Sequence, residues 1–337
     1  MSNTTPDITV AIVSYNTRDL LRACLRSLAA RQAEGEASLE IVVADNGSAD
    51  GSAAMVRAEF PDVRVIETGG NIGYGRANNA ALRDARGRYV LILNSDTEAE
   101  AGALQAMRDF LDARPEAGAV GGRLILPDGT TQPSCADDPD LKSVLWEQTY
   151  LYKLFSRNRV TGGYYMTYWD YGDRRAVEQV CGACLMVRRE LFRQLGGFDP
   201  RYFMYFEDTD LCVRVRAAGA QIWFLPDACF QHRLGGSSGS DWRVRARMIA
   251  SYNKSRYYFF TRTRGRVQGL ALKAVVLLGA TLRVAAWGLL ALTGRRGARE
   301  QARLFAEVWR QTRRMGPHGD APEGAPGPPS AASCTSA

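Results

Sequence analysis

Over the first 118 residues, short unbroken apolar runs alternate with segments whose apolar positions recur every three or four residues. The runs at 8–13, 39–44, 63–67 and 90–93 predict strands, and the last, four consecutive apolar residues, reads as a strand buried on both faces. Between them, Leu20, Leu21, Cys24, Leu25 and Leu28 share one helical face, and 52–60, 75–85 and 98–114 predict further helices. Strands alternating with helices imply βαβ units, hence an α/β fold with a mainly parallel sheet and helices on both faces. Each predicted strand runs into polar residues: Ser14-Tyr15-Asn16, Asp45-Asn46-Gly47-Ser48, a glycine-rich turn carrying Asn71, and Asn94-Ser95-Asp96. Parallel strands put these ends on one sheet edge, where open α/β sheets bind ligands.

Asp96 leaves two readings open. A lone carboxylate at a strand's end suits Mg²⁺ or Mn²⁺, which take one or two side-chain oxygens and complete their shell with substrate phosphates. Equally, Asp96 or Thr97 could cap the helix expected over 98–114.

Beyond residue 118 the pattern loosens. Asp128-Gly129 reads as a hairpin turn, and 144–169 is rich in Tyr and Trp, suited to core packing or to stacking on sugars. The apolar run 180–187 reads as a strand, with Cys181 and Cys184 as small core residues, since no second Cys or His pair stands at zinc-ligand spacing. In 198–211, aromatic residues crowd Glu207, Asp208 and Asp210. Carboxylates among apolar groups are where a pKa rises toward that of a usable base, and the same acids suit the start of a helix that Gly219 ends. A strand over 221–225 leads to His232, Arg233 and a Gly/Ser loop at 235–238; His232 is either structural or faces a site.

Composition narrows the classes. The chain is 46% hydrophobic and 23% charged, ordinary for a globular protein. Its net charge of +7 is concentrated toward the C-terminal third, where Glu300 and Glu307 face many Arg and Lys between 256 and 314. No nucleic-acid-binding signature accompanies that charge. The seven cysteines are irregularly spaced and read as cytosolic thiols, and no secretory signal opens the chain. A dinucleotide fold wants Gly-x-Gly-x-x-Gly after the first strand, but residues 14–18 hold no glycine there, and a Walker loop is missing too.

Taken in order, Ser14-Tyr15-Asn16, Asp45-Asn46-Gly47-Ser48, Asn71-Ile72-Gly73-Tyr74-Gly75, Asn94-Ser95-Asp96, Gly197-Phe198-Asp199 and Glu207-Asp208-Thr209-Asp210-Leu211 resemble the family 2 inverting glycosyltransferases, and within them bacterial rhamnosyltransferases of cell-wall and polysaccharide assembly. The resemblance covers about residues 8–238 and implies a GT-A fold, a dTDP- or UDP-sugar donor and a divalent metal. By motif position, Ser14, Tyr15 and Asn16 line the nucleotide pocket, Asp45 contacts base or ribose, and Asn71 and Gly73 sit against ribose and diphosphate. Asp96 matches the second acid of the family's Asp-x-Asp metal motif, while Asn94 replaces the first. His232 is then expected to complete the metal shell and Arg233 to help neutralise the diphosphate. Asp208 matches the base, with Glu207 the alternate. The implied activity is hexosyl transfer, best matched to L-rhamnose from dTDP-rhamnose onto a lipid-linked or polysaccharide acceptor. One base and one metal suffice for inversion, without a glycosidase's carboxylate pair.

Residues 270–293 are apolar except Lys273 and Arg283. Val276, Val284 and Trp287 share the arc of those two cations, so the helix does not read as cleanly amphipathic. Basic clusters (Arg262, Arg264, Arg266; Arg295, Arg296, Arg299) flank it, favouring a helix lying in an anionic membrane interface over a buried one. The expected organisation is a catalytic domain over 1–240 (donor half 1–118, acceptor half 119–240), a helical membrane-associating extension over 241–315, and a disordered tail over 316–337. The expected location is the inner face of the plasma membrane. Rival classes are a nucleotidyltransferase, which lacks its glycine-rich loop here, and a non-catalytic sugar- or lipid-binding protein on a decayed fold.

Overall fold

The computed structural model describes residues 5–155, 157–233 and 241–320. The loop expected at 235–238 and residues 321–337 of the tail lie outside the described residues.

The first half comprises β1 (Ile8–Ser14), α1 (Arg18–Ala33), β2 (Leu39–Asp45), α2 (Ser52–Glu59), β3 (Arg64–Glu67), α3 (Tyr74–Leu82), β4 (Tyr89–Asn94), β5 (Thr97–Ala99), α4 (Ala103–Ala113) and β6 (Ala117–Ile125). The second comprises β7 (Thr131–Gln132), β8 (Cys135–Ala136), α5 (Leu141–Gln148), α6 (Leu151–Leu154), β9 (Arg175–Ala176), β10 (Gln179–Val180), β11 (Cys184–Arg188) and α7 (Arg189–Gln194). It ends with α8 (Glu207–Ala217), β12 (Gln221–His232), α9 (Trp242–Arg264), α10 (Arg266–Leu292) and α11 (Ala298–Arg314). The main sheet runs β3-β2-β1-β4-β11-β6-β12-β5. Its first four strands are parallel, β11 is antiparallel to both neighbours, and β6 and β12 are parallel again. All seven residues of β1 are buried, as its unbroken apolar run implies. One face packs Leu21, Leu25 and Leu28 of α1 with Met107 and Leu111 of α4. The other packs Ala77 and Leu82 of α3 with Leu211 and Val215 of α8.

The structure corrects the sequence reading in three places. Residues 97–99 do not begin a helix: they pair antiparallel with the end of β12, Thr97 opposite His232 and Ala99 opposite Phe230. Thr97 and Ala99 are buried and Glu98 between them is not, a strand's alternation, and α4 starts only after Gly102. The helix-cap reading of Asp96 and Thr97 therefore falls. The run 180–187 is broken: β10 pairs with β8 in a separate two-stranded sheet, and residues 181–183 form no strand before β11 enters the main one. The strand expected over 221–225 extends to His232, its register shifting between Leu225 and Cys229 around Pro226, the irregularity a proline in a sheet requires.

The C-terminal helices pack on this core. Tyr258, Phe259 and Phe260 of α9 join Tyr202 and Phe206 in one buried cluster with Leu272 and Val276 of α10. Arg256 is 2% exposed and pairs with Glu147 of α5 at 2.8 Å. On α10 both interior cations turn inward: Lys273 donates to the Met315 carbonyl at 2.7 Å, and Arg283 donates to Gln148 Oε1 at 2.6 Å. The mixed arc seen in the sequence is thus the protein-facing one. The opposite face, including Val267, Leu270, Leu278, Leu282, Leu289 and Leu292, is exposed and carries no charge. By length and composition Arg266–Leu292 could cross a membrane, and 17% of its most apolar window is buried.

Candidate active site

The polar strand ends converge at the carboxyl edge of the sheet on a cleft of about 290 Å³, lined by Tyr15, Asn71, Gly73, Asn94 and Asp96 among the expected residues. Val13, Thr17, Asn46, Tyr74, Ser95, Phe203, Met204 and Met248 complete the lining. The loops are held by side-chain amides. Asn46 Nδ2 donates to Asn71 Oδ1 at 3.0 Å, Asn46 Oδ1 accepts from the Ile72 amide at 2.9 Å, and Asn71 Oδ1 accepts from the Gly73 amide at 3.1 Å. Gly73 sits at φ 94°, and a Cβ there would meet the Phe203 carbonyl oxygen at 2.5 Å; only glycine fits that close approach. Beside it the Tyr74 amide donates to the same carbonyl at 2.9 Å, seating the turn before α8 over the donor loop.

Of the other expected nucleotide contacts, Ser14 and Asp45 are buried behind this surface, while Asn16 and Arg233 are exposed and engaged elsewhere. Ser14 is buried, its hydroxyl 3.0 Å from Thr17 Oγ1, which is itself 2.9 Å from Ser95 Oγ. Asn16, at φ 55°, accepts from the Ala49 amide at 2.7 Å and so shapes the loop. Asp45 accepts from the Ser48 amide at 3.2 Å through Oδ2, while its buried Oδ1 has no hydrogen-bond partner. An orphaned carboxylate oxygen beside a ligand cleft is a ready acceptor for a base N–H or ribose hydroxyl. Asn94 Oδ1 accepts from the Tyr74 hydroxyl at 2.9 Å, and that hydroxyl also reaches the Gly182 carbonyl at 2.8 Å. Arg233 is turned onto Glu98 at 2.6 Å, and its amide donates to the Asp96 carbonyl at 3.0 Å.

Asp96 and His232 meet across the β5–β12 pairing, Asp96 Oδ1 lying 3.2 Å from His232 Nε2. His232 is buried, and its Nδ1 lies 2.6 Å from Gln132 Oε1. With Nδ1 donating its N–H to that amide oxygen, Nε2 would be the nitrogen left to a cation shared with the carboxylate, the orienting role an outer partner plays at metal sites. One imidazole and one carboxylate fit a divalent cation that draws its remaining ligands from a bound diphosphate. Among the described residues no group of three or more His, Cys, Asp or Glu could hold a metal unaided.

A second cleft of about 240 Å³ contains Glu207, Asp208, Tyr164, Tyr165, Tyr205 and Tyr252. Tyr205 and Phe206 both take left-handed backbone, φ 70° and 66°, a strained conformation that surrounding structure must hold. The turn delivers Glu207 and Asp208 to the start of α8, where amides and the helix dipole favour negative charge. Asp208 is half-buried, Oδ2 accepting from the Gly182 amide at 2.8 Å and Oδ1 from the Thr209 amide at 2.7 Å. Burial raises its pKa above 3.8 against the pull of those amides. Glu207 is buried with Oε2 unpartnered, and burial together with the Asp208 charge pushes it up to about 8. Cys181 borders the same cleft, its thiol pushed up to about 12 by burial, so it is protonated and unreactive.

Behind α8, Asp199 accepts from Arg201 at 3.0 Å, Tyr258 at 2.9 Å and Arg262 at 3.1 Å, and Asp210 is held by Arg214 at 2.7 Å and by Arg262. Arg262, expected in a membrane-facing cluster, thus points into the protein. Met248 and Tyr252, which reach the two clefts from α9, carried no sequence signal; nor did Gln132, one hundred residues from the histidine it meets.

A polar cleft at the carboxyl edge of a mixed, mostly parallel sheet, with a second cleft holding an acid at a helix start beside it, sits on a GT-A-like architecture. Residues 9–196 match the model described as glycosyl transferase family 2, and the chain belongs to that family. A second model, the N-terminal domain of galactosyltransferase, matches residues 163–233. The chain is 34% identical over 261 residues, 74% of its length and 82% of the relative's, to the N-acetylglucosaminyl-diphospho-decaprenol L-rhamnosyltransferase of Mycobacterium tuberculosis (strain ATCC 25618 / H37Rv). Among solved structures it is similar to a mannosyltransferase from Pyrobaculum calidifontis in complex with GDP-Man and Mn²⁺, with TM-score 0.50, 20% identity and coverage of 92% of this chain and 87% of that one. It is also similar to GalNAc-T7 with UDP, GalNAc and Mn²⁺, with TM-score 0.53, 15% identity and coverage of 77% and 51%.

Proposed function

We propose that this glycosyltransferase moves L-rhamnose from dTDP-rhamnose, with inversion, onto a sugar carried by a polyprenyl diphosphate, at the inner face of the cytoplasmic membrane. The observation that carries the chemistry is Asp208, a half-buried carboxylate fixed by two amides in a cleft beside the donor edge. The relative's rhamnosyl transfer to a diphospho-decaprenol acceptor supports the substrates.

In this reading the nucleotide stacks by Tyr15, the Asp45 oxygen lacking a partner takes a base or ribose donor, and the Asn71–Gly73 loop backs the diphosphate. Asp96 and His232 would hold Mg²⁺ or Mn²⁺, which when bound would supply charge neutralisation for a diphosphate leaving group. The acceptor hydroxyl gives its proton to Asp208 as its oxygen bonds the anomeric carbon from the face opposite the leaving group; the bond to the diphosphate breaks and the nucleoside diphosphate departs. Glu207, pushed up to about 8 by burial and the Asp208 charge, stays protonated near neutral pH and does not compete for the acceptor proton. The outward apolar face of α10, with exposed Arg266, Arg295, Arg296 and Arg299 near its ends, supports a helix lying in an anionic interface. Its inner face packs on the protein, which opposes spanning.

The test is incubation with dTDP-rhamnose, Mn²⁺ and N-acetylglucosaminyl-diphospho-polyprenol, reading product mass and anomeric configuration. One added deoxyhexose with inverted configuration is expected. Retention, or transfer only from another nucleotide-sugar, would refute the assignment.

A further inference from the structure

A third cavity, about 410 Å³, opens between α5, α6, α9, α10 and α11. Its walls are largely apolar, among them Ile249 of α9, Val276 and Ala280 of α10, and Phe305 and Val308 of α11. It adjoins both clefts: Tyr205 and Tyr252 line this groove and the cleft of Asp208, and Met248 lines this groove and the donor cleft. The groove is walled by the same helix, α10, whose opposite face is exposed and apolar. Any amphiphile reaching Asp208 from a membrane along α10 would pass it.

One wall carries a charge that the groove's own structure leaves uncompensated. Arg283 lies between the rings of Tyr150 at 4.7 Å and Phe305 at 5.3 Å from their centroids. Its hydrogen bonds go to neutral oxygens: Gln148 Oε1 at 2.6 Å, the Gln148 carbonyl at 2.9 Å, the Glu147 carbonyl at 3.4 Å and the Tyr150 hydroxyl at 3.2 Å. No carboxylate pairs with it among the described residues, whereas the Glu147 carboxylate on the same wall is matched by Arg256 at 2.8 Å. A permanent cation fixed by dipoles and rings in an apolar groove is complementary to a phosphate anion attached to a hydrocarbon chain.

We propose that this groove binds the diphosphate and the first prenyl units of a polyprenyl diphosphate, Arg283 facing the anion, so that the attached sugar passes Tyr205 and Tyr252 toward Asp208. This deepens the acceptor assignment above and rests on it for the sugar's destination alone. It also gives a role to one of the two interior cations of α10, the other, Lys273, being held by the Met315 carbonyl.

The test measures binding without turnover, using the full chain in mild detergent and polyprenyl diphosphate bearing no sugar, with the matching neutral polyprenol as control. Titration calorimetry is expected to show the diphosphate binding at least tenfold tighter than the alcohol. Arg283→Gln should erase that preference, and Ala280→Trp, which fills the groove, should weaken both lipids at least tenfold. If Ala280→Trp does not fold, Ile249→Trp fills the same space from the opposite wall. Equal binding of diphosphate and alcohol by the wild type, or unaltered binding by the variants, overturns the proposal. Failed sugar transfer with this binding intact would instead refute the reaction and leave the groove standing.

Discussion

Glu207 and Asp208 are adjacent in the chain and differ in what surrounds them. Asp208 faces the cleft with two amides on its oxygens, while Glu207 is shut in with an oxygen unpartnered. Asp208→Asn should lower transfer by about 10²–10⁴-fold, the usual worth of a positioned base, with nucleotide binding retained; undiminished turnover would remove Asp208 from the reaction. For Glu207 the pH dependence follows from the sign of its shift. Its carboxyl ionises near 4.5 when unfolded and near 8 when folded, so its contribution to stability is complete below about 4.5 and lost as pH rises toward 8. Wild-type melting temperature should therefore fall relative to Glu207→Gln between pH 5 and 8, and parallel melting curves would contradict that environment. At this scale the place of the acids at a helix start among aromatic residues was legible, because that crowding is written in consecutive residues. The partners that tune them were not. Gly182 lay inside a run that read as continuous strand, and Gln132 is placed on His232 only by the pairing of β7 with β6 and β6 with β12.

At the scale of elements, α9 is built into the site. Its Arg262 bridges Asp199 and Asp210, and its Tyr258 caps Asp199. Burial pushes Asp199 up, but hydrogen bonds from Arg201 and Tyr258 outweigh it and hold the carboxyl below 3.8; burial leaves Asp210 raised despite Arg214 and Arg262. Removing one member of a buried ion network leaves charge uncompensated. Arg262→Ala should cost about 3 kcal/mol, read as a lowered denaturant midpoint with unchanged slope, and a loss below about 1 kcal/mol, the worth of an exposed pair, would contradict the buried network. Of the four parallel strands β1 and β4 were the most legible, as mainly apolar runs, while β3, Arg64–Glu67, was legible only as a short Val-Ile segment between helical patterns. β5 was not: three residues carry too little pattern to compete with the helical spacing after them, and pairing with β12, more than 130 residues later, decides the matter.

At the scale of the molecule, the Arg283 groove adjoins both the sheet-edge cleft and the cleft of Asp208, and α10, which walls it, exposes its outer face. The two cations of α10 obscured its amphipathic character, since only tertiary structure reveals that Lys273 and Arg283 both face inward. Leu278 and Leu282 are 60% and 59% exposed on the outer face. Leu278→Glu combined with Leu282→Glu should abolish co-sedimentation with anionic vesicles and leave melting nearly unchanged; continued sedimentation would contradict the interfacial reading. The central claim, a metal-assisted nucleotide-sugar site at the sheet edge, is tested most directly by thermal stabilisation with dTDP, UDP or GDP, with and without Mn²⁺, in wild type and Asp96→Ala. A Mn²⁺-dependent rise of about 5 °C near saturation, with dTDP and absent from the variant, is the expected result. No rise with any nucleotide, or an equal rise without metal and in Asp96→Ala, would contradict the account.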